Sequence, residues 1–333
     1  MRRKVILILF SIAYFVCNTN AFLDPISLTA LAAGAVGWMK YDFLKQNTYC
    51  RWNECCSAPY LKNNILELSL LLETNLFGQH IVQQTLVKAI GAYIRNIDSS
   101  RKPLTISFHG TSGTGKNYVS DFLAASLYEK SYNSKYVHKF TAGELATVTQ
   151  DELVRTIRNA IGDCPNSLFI FDEIEKMPPG IFDSIVHLLD HHTTQRGFDF
   201  SKAIFIFLSN SAGVEISKKL KTIIESGRWR DETTLHDFER IAELGAYNVI
   251  GGLYRSRMIE SHVIDHFVPF LPLELRHVEK CIKKEFDKFC RYKATDEKIS
   301  EVVRSAVTFD ETGIFTSNGC KRVRRKVEAL CYT

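Results

Sequence analysis

Gly110-Thr-Ser-Gly-Thr-Gly-Lys116-Asn117 follows directly on the apolar run Leu104–Phe108 and opens a helical pattern. A glycine-rich loop ending in lysine, set between a strand and a helix, is a phosphate-binding arrangement. Glycines at 110, 113 and 115 let the backbone curl until successive N–H groups converge on an anion. The helix that follows points its positive end at the same anion, and Lys116 adds a full charge. Gly110, Thr111, Ser112, Gly113, Thr114, Gly115, Lys116 and Asn117 are therefore candidate contacts to a nucleotide's phosphates. Position 117 departs from the pattern: asparagine stands where a serine or threonine hydroxyl ligates magnesium. An amide oxygen also suits a hard cation, but with altered geometry, so weak or partner-dependent hydrolysis is expected.

Downstream, Leu168-Phe-Ile-Phe-Asp172-Glu173 is an apolar strand ending in two acids. In phosphoryl-transfer sites of this kind the first acid holds magnesium, and a second group orients the attacking water. Phe205-Ile-Phe-Leu-Ser-Asn210 is a second such strand, ending in an amide. Its expected place is between the phosphate loop and the acid-bearing strand, where Asn210 reaches the lytic water or the terminal phosphate. With Leu104–Phe108, Tyr136–Phe140 and His266–Leu271 these make five apolar runs alternating with helical patterns. Continuous apolarity is the mark of parallel strands covered on both faces, so an α/β fold built on a parallel sheet is predicted. Leu61–Ile97 reads as two helices around Asn75–Gln79, and Thr149-x-x-Glu152 reads as a capping box. From Pro272 the pattern is purely helical, with Leu275, Val278, Ile282, Phe286 and Phe289 on one face. The expected division is a large domain over 61–271 and a small helical one over 272–333.

The N-terminus carries Arg2, Arg3 and Lys4, an apolar run Val5–Val16, and small residues at Thr19 and Ala21. That is the layout of a secretory signal peptide over residues 1–21, against the alternative of an uncleaved anchor. Residues 22–60 form a hydrophobic and Cys-rich segment. Within it Ile26–Met39 is too short for a straight span and suits peripheral association with the membrane, a buried core helix being the alternative. The net charge of +5, from 42 basic and 37 acidic residues, is too small to argue for nucleic acid. His191-His192 reads as a solvated helix end, since adjacent helical side chains do not face one site. Lys321–Lys326, beyond Lys321 itself, reads as the charged outer face of a helix. Eight cysteines follow the leader, none in zinc-ligand spacing, and some should pair in an oxidising lumen.

Phosphate loop, Asp-Glu strand, Asn-ended strand and helical C-terminal segment, in that order, resemble the layout of AAA+ ATPases. The details resemble torsins: Gly113–Asn117, Phe169–Glu173, Phe205–Asn210, Phe267–Glu274 and Gly319-Cys-Lys321, with Leu76–His80 and Asp24–Leu28. The resemblance covers residues 24–330. It implies a P-loop AAA+ sheet flanked by helices and closed by a small C-terminal helical lid. It implies ATP with Mg²⁺ held through Asp172 and, as a further candidate ligand, Asn117. Catalysis would then fall to Glu173 on the water, with Asn210 and Lys321 sensing the terminal phosphate. It also implies disulfides Cys281–Cys320 and Cys50–Cys164, the first against the alternative of two buried free thiols. The expected compartment is the endoplasmic reticulum lumen and perinuclear space. An arginine finger would be expected near Val263, yet Val263 and His262 stand there, with Arg255 and Arg257 on the wrong side. Torsins resemble this and take the arginine from the luminal domain of a transmembrane activator. Partners so implied are that activator and further subunits in a homo-oligomer or hetero-oligomer. A nucleotide-dependent scaffold with little turnover is the competing expectation.

Overall fold

A computed structural model describes residues 49–190, 194–195, 197–311 and 313–332. The leader 1–21, the apolar stretch Ile26–Met39 and His191-His192 lie outside the described residues. Among the described residues no helix is long and apolar enough to cross a membrane. The chain divides into two compact units, one up to Cys55 and one from Cys56 onward. In the first, Cys50–Trp52 forms a helical turn and Cys50 is bridged to Cys55.

The second unit is built on five parallel strands: β1 (Leu104–His109), β2 (Val137–Thr141), β3 (Leu168–Asp172), β4 (Ile204–Ser209) and β5 (His266–Pro269). Their spatial order is β2-β3-β4-β1-β5, so the asparagine-ended β4 lies between the phosphate-loop strand and the acid-ended β3. Side chains alternate across a strand, and the residues sort accordingly. Leu168, Ile170, Ile204, Ile206 and Leu208 join one core cluster, while Phe169, Phe171, Phe205 and Phe207 join another on the opposite face. Register pairs Phe169 with Phe205, and Phe171 with both Phe140 and Phe207. The rings stack at centroid separations of 4.7, 5.0 and 5.2 Å, so cross-strand aromatic contacts reinforce the ladder.

Helices cover both faces, burying apolar side chains against the sheet. On the aliphatic face lie α1 (Ile65–Asn75), α2 (His80–Arg95) and α3 (Lys116–Leu127). The phenylalanine face is covered by α4 (Gln150–Asp163), followed after α5 (Gly213–Glu225) by α6 (Glu239–Asn248). The capping box opens α4: Thr149 Oγ1 accepts from Glu152 N at 3.3 Å and Glu152 Oε2 accepts from Thr149 N at 2.9 Å. After β5 come α7 (Leu275–Phe289), α8 (Asp296–Ala306) and α9 (Val323–Tyr332), which share an apolar cluster of their own. Val278, Ile282 and Phe286 are fully buried there, while Leu275 and Phe289 remain half-buried.

All eight cysteines among the described residues are bridged: Cys50–Cys55, Cys56–Cys164, Cys281–Cys320 and Cys290–Cys331. The expected pairing of Cys50 with Cys164 is corrected. Cys164 caps the buried end of α4, and the segment after Cys56 is carried to it by bonds onto the end of α3. Lys62 N donates to Leu127 O at 2.9 Å, and Glu129 N to Tyr60 O at 2.9 Å. That seam brings the Cα atoms of Cys56 and Cys164 within 5.4 Å, leaving Cys50 to close a short loop with Cys55.

Candidate nucleotide-binding site

The loop after β1 has the backbone its glycines were expected to permit. Gly113 has φ of +80°, and a Cβ there would run into the backbone carbonyl of Asn318. Gly115, at φ +110°, caps α3, and a Cβ there would come within 2.8 Å of Leu76 Cδ1. Both φ values lie where L side chains are strained, so a side chain at either position costs backbone energy. Lys116 opens α3 and is only 8% exposed. Its Nζ donates to Gly110 O at 2.7 Å, Thr111 O at 2.9 Å and Asn210 Oδ1 at 3.0 Å. Burial, opposed by the charges of Glu175 and Asp172 and aided by Lys321, lowers its pKa to about 8. Thr111 Oγ1 is buried without a hydrogen-bond partner.

Across the cavity, Asp172 ends β3. Its Oδ2 accepts from Asn117 Nδ2 at 2.8 Å and faces Lys139 Nζ at 3.2 Å. Glu173, the next residue, sits at φ +60° and pairs with Lys176 at 2.7 Å. A non-glycine residue in that left-handed region is strained, as is common at functional sites. Asn210, directly after β4, is held by Glu175: its N donates to Oε2 at 3.1 Å and its Nδ2 to Oε1 at 2.7 Å. From the lid, Cys320 N donates to Gly113 O at 3.1 Å, so the loop carrying Lys321 rests on the phosphate loop. Cys281 and Cys320, on α7 and just before α9, also line the cavity.

These groups converge on one cavity of about 420 Å³, within the range of small-molecule sites. Lys116, Asn117, Asp172, Glu173, Asn210 and Lys321 line it together with Ser112–Gly115. Its apolar wall is Leu76, Phe77, Leu273 and Val323, a surface suited to a flat base. Gly110 and Thr111 do not line the cavity; they lie behind it, their carbonyls accepting from Lys116 Nζ. Val263 is apart from this group: it is 2% exposed, and its carbonyl accepts from the Thr105 hydroxyl on β1. Arg255 and Arg257 are exposed outside the cavity wall.

Several participants were not legible beforehand. Gln79 Nε2 donates to Leu271 O at 2.8 Å and Thr114 O at 3.2 Å, and its Oε1 accepts from Leu271 N at 2.9 Å. Arg230, 2% exposed, donates to Gly78 O at 2.6 Å and Pro272 O at 2.7 Å. Both tie the loop beside the cavity to the segment entering the lid. Glu285 contributes a carboxyl to the cavity wall, pushed up by burial. Only capping position and context distinguish such residues from surface polar groups, so a one-dimensional pattern passes them over.

The donor set fits magnesium. This cation keeps its waters and takes one or two protein oxygens plus phosphate, and Asp172 and Asn117 stand together at the mouth. No group of three or more metal-ligating side chains occurs among the described residues. As placed, the Asn117 amide presents its nitrogen to Asp172, so ligation through its oxygen requires the amide to turn over.

A parallel sheet in this order, with a phosphate loop after β1, an acid at the end of β3 and an asparagine after β4, defines an ATP-binding protein of the AAA+ class. Solved structures agree on the fold. A Saccharomyces cerevisiae Hsp104–ADP complex aligns with a TM-score of 0.58 at 17% identity, covering 80% of this chain and 46% of that one. An Hsp104–casein complex in an extended conformation gives 0.54 at 17% identity, covering 84% and 49%. The chain thus spans about half the length of those structures. The family model described as Torsin matches residues 50–171. A Torsin-like protein of Drosophila melanogaster is 43% identical over 93% of this chain and 93% of its own length. One of Caenorhabditis elegans is 37% identical over 93% and 88%, and Homo sapiens Torsin-3A is 32% identical over 89% and 78%. The chain belongs to the torsin family.

Proposed function

We propose that this chain is an ATPase of the endoplasmic reticulum lumen and perinuclear space. It would use hydrolysis to remodel proteins or membrane-linked complexes, with an arginine supplied by the luminal domain of a transmembrane activator. The convergence of Lys116, Asp172, Glu173, Asn210 and Lys321 on one cavity carries this reading. The paired cysteines support an oxidising compartment. A buried valine at position 263 supports the need for an arginine from elsewhere, since such a group can be worth several powers of ten in rate.

The cavity's lining supports the following roles. The N–H nest of Gly110–Gly115 and the Lys116 ammonium bind the phosphates. Magnesium, held through Asp172 with Asn117, would neutralise phosphate charge. Glu173 would orient the attacking water, giving up its exposed ion pair with Lys176. Lys321 reports from the lid on the terminal phosphate. In steady-state assays, Glu173→Gln should bind ATP as wild type does and lose turnover by about a hundredfold or more, trapping ATP and partner together.

One observation favours a second reading, a nucleotide-dependent scaffold: Asn117 spends its amide on Asp172 where a hydroxyl would hold the cation. ATP binding without stimulation by any luminal partner would favour the scaffold. Absence of affinity for adenine nucleotides in magnesium would remove both readings.

A further inference from the structure

Glu175 has no part in the roles above, yet its carboxylate accepts three hydrogen bonds at the site: from Asn210 N, from Asn210 Nδ2 and from Ser209 Oγ, at 3.1, 2.7 and 3.0 Å. We propose that Glu175 is the positioning residue for Asn210, holding its amide so that the oxygen faces Lys116 and the lysine charge is set where the terminal phosphates bind. This rests on the nucleotide-binding reading.

The chemistry of the partners leaves one arrangement. A carboxylate only accepts and an ammonium only donates, while an amide has one end of each kind. Between Glu175 and Lys116, Asn210 must therefore turn its NH₂ to the carboxylate and its oxygen to the ammonium, at 3.0 Å. Without the acceptor at 175 the amide has two orientations, one of them pointing its NH₂ at Lys116.

Glu175 is itself braced from the core. Ser209 Oγ gives its single proton to Glu175, so the proton in the 2.9 Å bond between the Ser209 and Ser211 hydroxyls comes from Ser211. The Ser211 oxygen is then left to accept from His109 Nδ1, at 3.0 Å. The other ring nitrogen of His109 accepts from Ser107 Oγ at 2.6 Å. His109 is fully buried, and burial first, then Lys116, holds its pKa down at about 3, so the ring stays neutral, as this directed chain requires. Every donor from Ser107 onward points toward the Glu175 carboxylate. Glu173, two residues earlier, faces outward to Lys176 instead, so the two glutamates of the turn divide the work between water and sensor.

The test titrates a fluorescent ATP analogue, with magnesium, into the full chain and the variants Glu175→Gln, Glu175→Asp, Asn210→Ala and Glu175→Gln/Asn210→Ala. Glu175→Gln removes the charge and puts an NH₂ where one accepting oxygen stood, so it cannot take Asn210 N, Asn210 Nδ2 and Ser209 Oγ together as the carboxylate does. Binding is expected to weaken about tenfold, the scale of one charge-assisted bond. Glu175→Asp, which keeps both accepting oxygens and the charge, should recover part of it. In the Asn210→Ala background Glu175→Gln should have no further effect. Wild-type affinity in Glu175→Gln overturns the proposal, as does the same loss with or without Asn210. Should Glu175→Gln melt early, Glu175→Asp in both backgrounds decides by the same criterion. A wild-type chain that binds no nucleotide overturns the reading of the whole site, and this proposal with it; a binding wild type with an insensitive position 175 overturns this proposal alone.

Discussion

Gly113 is where two demands meet in one residue. Its φ of +80° suits only glycine, and its missing side chain leaves room for the Asn318 carbonyl and for the bond from Cys320 N. Gly113→Ala should strain the phosphate loop and push the lid loop off it together. The expected result is a loss of ATP affinity of about tenfold or more, beyond the roughly 1–3 kcal/mol of backbone strain read in stability. A titration of ATP paired with a urea melt measures both. An unchanged affinity would mean that the lid loop does not bear on the nucleotide. The Asn117–Asp172 bond belongs to the same scale. Asn117→Ser restores a hydroxyl at the cation position, and is expected to raise basal turnover severalfold if the asparagine slows hydrolysis.

Among the elements, the strands and their chemistry-bearing ends were legible because each is a contiguous run. Phe169–Glu173 and Phe205–Asn210 announce burial, direction and the polar terminus in consecutive letters. Glu175, Gln79 and Arg230 act across 35, 192 and 152 positions of chain, distances over which no periodicity operates. The expected Cys50–Cys164 pairing fails for a related reason: Cys55 and Cys56 are neighbours in sequence but take different partners, one local and one at the end of α4. Near the start of α7 a buried histidine makes a pH prediction. The ring of His277 packs against Gly78, its Nδ1 accepts from Glu274 N at 3.2 Å, and burial, then Arg230, lowers its pKa to about 3. The unfolded ring titrates near 6.5, so between these values the unfolded chain holds a proton the folded one refuses. Stability is therefore complete above about pH 6.5 and falls as pH drops toward 3, with His109 acting in the same direction. His277→Gln, which keeps an acceptor, should show a shallower fall in melting temperature between pH 7 and 4 than the wild type. An identical slope would assign the acid sensitivity elsewhere.

At the scale of the molecule, the bridges differ most in how much chain they enclose. Cys56–Cys164 spans 108 positions and Cys50–Cys55 spans 5. On chain-entropy grounds the long closure is worth about 4–5 kcal/mol and the short one about 2. Replacing Cys56 and Cys164 with serine should therefore lower the urea midpoint more than replacing Cys50 and Cys55. Equal effects would indicate that native packing around α4, and not loop closure, sets the difference. The two lid bridges, enclosing 39 and 41 positions, should fall between. The sheet's outline has its own consequence for association with other chains. One margin is β5, four residues long and ending in Pro269, which has no N–H to offer. The other is β2, which carries His138 and Lys139 among its five residues. Short length, a proline and a lysine each discourage another chain from adding itself as a further strand.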